Sequence, residues 1–174
     1  MEEKQGIRLY NLIFPIWLLW VFPLTWIVVL PANFIIDSLV VLITLRLLKV
    51  GNIKQNYKKA ILKVWGFGFL SDFIGTAFMV LALLIDHLWE YDTAIGKWWY
   101  DYIAMPVSYN AFESIWSIIW VTICVIISSF CIYIFNYKIS FRKLEMEEGN
   151  KKKLAIALAV FTAPFLFYIP TSIY

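Results

Sequence analysis

Residues 60–85 read AILKVWGFGFLSDFIGTAFMVLALLI and carry two charges, Lys63 and Asp72. A helix needs about 20 apolar residues to cross a hydrocarbon core roughly 30 Å thick, so this stretch is long enough to cross a membrane. Within it Gly68, Ser71, Asp72 and Gly75 fall at i, i+3, i+4 and i+7. That spacing gathers small residues and one acid on a single helical face. A face of this kind lets a second helix approach closely, so Asp72 is expected to point into a bundle and not into lipid. Nine residues separate it from Lys63, which places its carboxyl about 13 Å in from that end.

The whole chain has the same character. Of its 174 residues 62% are hydrophobic and 16% charged, and its mean hydropathy is +0.76. Soluble proteins run near 45–50% and 25%. A globule of this size cannot hide so much apolar surface. The composition therefore excludes a soluble enzyme, a nucleic-acid-binding domain and a disulfide-stapled secreted module. Cys124 and Cys131 lie seven apart in one apolar segment, about 10 Å along a helix, and cannot bridge. With His87 as the single histidine, no metal site and no cofactor are expected. The first apolar stretch is long and lacks a small-residue cleavage site, so no cleaved signal peptide is expected.

Four more apolar stretches flank the first: 9–30, 34–50, 107–137 and 154–172. Pro31-Ala32-Asn33 reads as a tight turn between the first two. The expected fold is an all-α integral membrane protein, one transmembrane domain over 1–174 with five spans. An aromatic outer loop covers 86–105 and a charged inner loop covers 138–153. That inner loop, with Lys143, Glu145, Glu147, Glu148 and Lys151, reads as a helical extension of the fourth span with i,i+4 charge pairs. With the N-terminus inside, 14 of the 15 basic residues fall on the inner face and Lys97 alone outside. The excess of Lys and Arg then puts the N-terminus in the cytoplasm, the C-terminus outside and the chain among the lipids of the plasma membrane.

Ionisable groups inside a span cost about 2.5–3.5 kcal/mol each on insertion scales and so mark candidate sites. Asp72, Asp37 and Glu113 qualify. Asn33, Asp37 and Thr44 share a face by spacings of four and seven. Arg46 lies on the opposite face, where it can snorkel to the headgroups. Asn110, Ser114, Ser117, Val121, Cys124, Ser128 and Cys131 repeat at alternating spacings of four and three. They form either a helix-packing seam or the wall of a hydrated pathway. Pro23, Pro164 and Pro170 each remove a backbone donor, and Thr162-Ala163-Pro164 could open a carbonyl toward the interior. In the outer loop Trp98, Trp99 and Asp101 belong to an interfacial aromatic girdle, or to a cage for an organic cation.

These residues suggest a channel or transporter for protons, cations or a small solute. Asp72 would be its centre, Asp37 and Glu113 an outer relay, and Asn33 and Ser117 part of the lining. One alternative is an accessory or assembly subunit, with a larger membrane protein or further copies of itself as partner. A second is a small-ligand-binding protein using Trp98, Trp99 and Asp101. An enzyme is not expected. Asp37 and Asp72 are the one catalytic pair on offer, and the intramembrane aspartyl proteases require glycines immediately before the aspartate. Here Gly66-Phe67-Gly68 stand further off.

Overall fold

A computed structural model describes residue 24 and residues 26–170. The expected first span up to residue 25, with Lys4, Arg8 and Pro23, lies outside the described residues, as does the end of the fifth beyond Pro170. In chain order the helices are α1 (Trp26–Leu47), α2 (Ile53–Asp86), α3 (Ala94–Trp99), α4 (Met105–Tyr109), α5 (Ile115–Phe135) and α6 (Glu148–Phe161). Wide π turns at Tyr100–Ala104 and Asn136–Ser140 and 3-10 turns at Ala111–Glu113 and Phe165–Tyr168 complete an all-helical architecture, with no strand among the described residues. Trp26–Leu47, Ile53–Asp86 and Ile115–Ser140 are long and apolar enough to cross a membrane.

Two apolar clusters form the core. Met79 and Ala82 of α2 meet Val121, Cys124 and Val125 of α5, with Ile103, Val107 and Phe167. Val41 and Leu45 of α1 meet Ala60 and Val64 of α2, Ile132 of α5 and Leu154 and Leu158 of α6. On α2 the residues between the two clusters are the small ones, Gly68, Ser71 and Gly75, together with Asp72, and all are buried. Ser128 lies between them on α5, and Asp37 precedes the second cluster on α1. The polar residues thus occupy one layer between two dry ones.

Several sequence expectations are corrected. Pro31-Ala32-Asn33 is not a turn, because α1 runs unbroken from Trp26 to Leu47 with Pro31 inside it. A proline costs its helix one bond, but membrane helices tolerate it when neighbours supply donors. The carbonyl that Pro31 leaves without its helical donor is that of Ile27; as a separate tie beside the proline, the Trp65 indole N–H of α2 donates to the Leu30 carbonyl at 2.9 Å. The fourth span starts later than residue 107. Asn110 and Ser114 adopt extended backbone and cap the next turns, accepting from the N–H groups of Phe112 and Trp116. The expected outer loop is itself largely helical from Ala94 onward. The fifth span is not one helix over 154–172: α6 starts in the charged loop at Glu148 and stops at Phe161.

The inner loop is not an extension of α5. After Ser140 the chain leaves the helix, buries Phe141 and Leu144 in the second cluster and folds onto the turn between α1 and α2. That turn holds Lys49 and Asn52 in the left-handed region, each at φ 51°. Asn tolerates this conformation far better than Lys does. The Asn56 amide joins the two loops, donating to the Gly51 carbonyl at 3.0 Å and accepting from the Glu145 N–H at 3.2 Å. Lys59 adds an exposed ion pair to Glu145 at 2.6 Å. Nearby, Lys151 donates to Glu148 at 2.9 Å, and this bond holds the Glu148 carboxyl below the usual carboxylate range.

A Cβ added at Gly75 would stand 2.9 Å from Phe167 Cε2 and 3.1 Å from Ser128 Cβ, whereas one at Gly66 would meet nothing within 4 Å. Gly75→Leu should therefore cost about 1–3 kcal/mol through overpacking. Gly66→Leu should be neutral or stabilising by helix propensity. Thermal melts in detergent compare the two, and equal tolerance would contradict the close contact. Asn56→Ala should cost about 1–3 kcal/mol, because it strips the bonds that join the loops. Lys59→Ala should cost less than about 1 kcal/mol.

Candidate functional site

The polar layer opens on one side into a cavity of about 470 Å³. From α1 it takes Asn33, Ile36 and Asp37, and from α2 it takes Gly68 and Asp72. The remaining wall is the end of α6 and the segment that follows it. No Lys, Arg or His is among these lining residues.

Each carboxyl has its own setting. Asp72 is 5% exposed and accepts a hydrogen bond from the Ser128 hydroxyl at 3.1 Å, across the α2–α5 contact. Its neighbours turn their hydroxyls inward to their own helix, Ser71 to the Phe67 carbonyl at 2.7 Å and Thr76 to the Asp72 carbonyl at 2.9 Å. These internal bonds let polar residues sit in a tight helix contact without an orphaned donor. Asp37 is 4% exposed and lies against Gly68, its Oδ2 only 3.3 Å from where a Cβ there would be. Gly68 precedes Asp72 by one helical turn, about 6 Å, so the missing side chain makes room for the second carboxyl beside the first. Asp37 makes no hydrogen bond or ion pair among the described residues.

The far wall is made by a helix that ends abruptly. Pro164 has no N–H for the Val160 carbonyl, and the residue before a proline is pushed out of helical backbone. Thr162 closes the last turn, its N–H and its hydroxyl both donating to the Leu158 carbonyl at 2.9 Å. Beyond the break the Phe165 N–H donates to Ala163 and the Phe167 N–H to Pro164. Phe167 then packs on Gly75, and the Tyr168 hydroxyl donates to Thr122 Oγ1 on α5 at 2.8 Å. Thr162, Ala163 and Pro164 all line the cavity.

Of the residues singled out in the sequence, the structure brings Asn33, Asp37 and Asp72 together and leaves others apart. Thr44 belongs to a separate surface groove along α1. Glu113 is exposed in the 3-10 turn before α5, away from the cavity. Ser117 is fully buried, its hydroxyl set between the Ala111 and Ser114 carbonyls at 2.6 and 2.7 Å, where it secures the start of α5. The α5 seam packs against α2, and Ser128 is the member that reaches Asp72. In the outer segment Trp98 packs on Trp99, Tyr102 and Trp116 at centroid distances of 6.5, 6.2 and 5.4 Å. Trp99 packs on Trp120 at 5.6 Å and donates its indole N–H to the Ala82 carbonyl at 2.9 Å. These rings are engaged with one another and with α2 and α5, and Asp101 is exposed beside them.

Sequence reasoning missed the apolar wall: Ile36, Phe161, Phe165, Leu166 and Ile169. Ile36 was within reach, since it lies three residues from Asn33 on the same turn of α1. The others depend on how the chain folds back after its break. Three apolar helices around a layer holding two buried acids mark the chain as a helical membrane protein. No protein family, curated protein or solved structure matches it.

Ser128→Ala should leave the buried Asp72 carboxyl without its hydroxyl donor and lower stability by about 1–3 kcal/mol in a detergent melt. The neighbouring change Ser129→Ala should stay within about 0.5 kcal/mol. Equal effects would remove the Ser128–Asp72 bond from the account of α2–α5 packing.

Proposed function

We propose that the protein is a plasma-membrane transporter or channel that moves protons, cations or a small cationic solute through the cavity holding Asp37 and Asp72. The observation that carries this reading is the pair of carboxyls set on one cavity between two apolar layers with no basic partner. An acid in that position is costly unless it is protonated or accompanied by a cation, and exchange between those two conditions is what cation movement requires. The broken end of α6 supports the same reading, because discontinuous helices place backbone dipoles at midplane sites in transporters.

The basic residues favour one orientation. The α1–α2 turn with the first residues of α2 (48–59) and the segment from the end of the π turn after α5 into α6 (138–153) meet at one end of the bundle through Asn56, Lys59 and Glu145. Together they concentrate Lys and Arg, so we place this end in the cytoplasm and the aromatic segment at 89–102 at the outer surface. In this reading α6 and the 3-10 turn after it make one discontinuous crossing. Residues 154–161 of α6 at about 1.5 Å per residue and Phe165–Tyr168 at about 2 Å per residue cover about 20 Å, and the non-helical residues 162–164 and 169–170 extend the path toward the roughly 30 Å required.

Asp72→Asn keeps the shape of the side chain but cannot exchange a proton or carry charge. Proteoliposomes of the wild type should carry a proton or monovalent-cation flux that the Asn variant loses while still folding. Equal flux in both, or none in either under proton, sodium and potassium gradients, would leave Asp72 as a structural hydrogen-bonding group and overturn the transport reading.

A further inference from the structure

We infer that the Asp37–Asp72 cavity is built for an organic monocation with an apolar body, an amphiphilic or quaternary amine, in preference to a bare metal cation. The inference rests on the transport reading for the site and names its substrate class.

The first argument is size and wall chemistry. A water molecule occupies about 30 Å³, so about 470 Å³ is far more room than one bare ion fills. It lies within the range of about 300–1,000 Å³ typical of small-molecule sites. A desolvated alkali or divalent cation is held by a close shell of six or more oxygens. Here the carboxyl and side-chain amide oxygens lie at one side, on Asn33, Asp37 and Asp72, and the other wall, which includes the helix break at 162–164, is mostly apolar through Phe161, Phe165, Leu166 and Ile169. No group of three or more acidic, histidine or cysteine side chains suited to a metal occurs among the described residues. A ligand that satisfies both walls has a single positive charge at one end and hydrocarbon at the other. Phe161 and Phe165 add two aromatic rings whose faces attract such a cation.

The second argument is the state of Asp37. Asp72 already accepts from Ser128, but Asp37 is 96% buried, lines the cavity and has no partner among the described residues. An acid buried without a partner is either protonated or accompanied by a cation, and the cavity is where such a cation fits. The third argument is access. Phe165, Leu166 and Ile169 are 55%, 46% and 44% exposed on the apolar flank. In a bilayer that flank faces acyl chains, and a lipophilic cation can arrive through it without crossing the polar loops.

Benzyltrimethylammonium and its uncharged isostere neopentylbenzene separate these features on the full-length protein in detergent, read by calorimetry or tryptophan fluorescence. The cation should bind at least about tenfold more tightly than the neutral compound, and Asp37→Asn should remove that preference. Ile169→Trp, which fills the cavity from its apolar side, should weaken both ligands. Should either variant misfold, Asp37→Glu, which keeps the charge, should retain the preference. Equal affinity for the two compounds, or a preference untouched by Asp37→Asn, would overturn the inference. Loss of a proton or sodium flux in Asp72→Asn with no binding of the ammonium would overturn it while leaving the transport reading intact. Binding that depends on Asp37 without flux of any ion would support the site and overturn transport.

Discussion

The structure depends on one close approach, that of α2 to α5 at Gly75 and Ser128. Gly75 has no side chain because Phe167 and the Ser128 Cβ stand where one would be. Lipid gives two helices no hydrophobic reason to associate, so van der Waals fit and hydrogen bonds must do it. The same contact sets Ser128 Oγ within hydrogen-bond reach of Asp72, and the acid is tolerable in the interior because that donor is there. The second acid then fits because Gly68, about two turns before Gly75 on the same face of α2, leaves it room. Packing and polarity are therefore a single design: the small residues that bring helices together are those that admit the carboxyls.

The two apolar clusters give this polar layer its rigidity. Each uses residues from α2 and α5, so both helices are clamped above and below the acids. At the basic end the clamp extends to the loops, with Phe141 and Leu144 buried and the Asn56 amide serving as donor to one loop and acceptor from the other. At the aromatic end the indole donors of Trp99 and Trp120 bond to carbonyls of α2 at Ala82 and Phe78. Polar groups at both ends thus finish what hydrocarbon packing begins.

The faces of α2 and α5 were legible in the sequence because helical periodicity is a local property. Gly68, Ser71, Asp72 and Gly75 had to share a side once the helix formed, and the α5 seam had to face a neighbour. What escaped the sequence was set by distant partners. Pro31 looked like a turn, and the indole that ties α1 to α2 beside it, on the Leu30 carbonyl, comes from Trp65, 35 residues further along the chain from Leu30. The inner loop looked like a helical extension, and the side chain that receives it, Asn56, is 89 residues from Glu145. Hydropathy also read 154–172 as a span, since it counts apolar side chains and takes no account of the backbone donor that Pro164 lacks. Of the candidate site, the acids and Asn33 could be read directly, but the wall opposite them could not.

The break at Thr162–Pro164 divides the cavity's far wall between two anchors. α6 is rooted in the basic-end cluster through Leu154 and Leu158. The chain beyond the break is rooted in the other cluster through Phe167, and in α5 through Tyr168 and Thr122. The stretch joining them carries no continuous helical ladder, so each half of the wall is held by its own cluster. The place of the apolar wall relative to the carboxyls is therefore fixed by tertiary contacts at both ends and not by the stiffness of one helix.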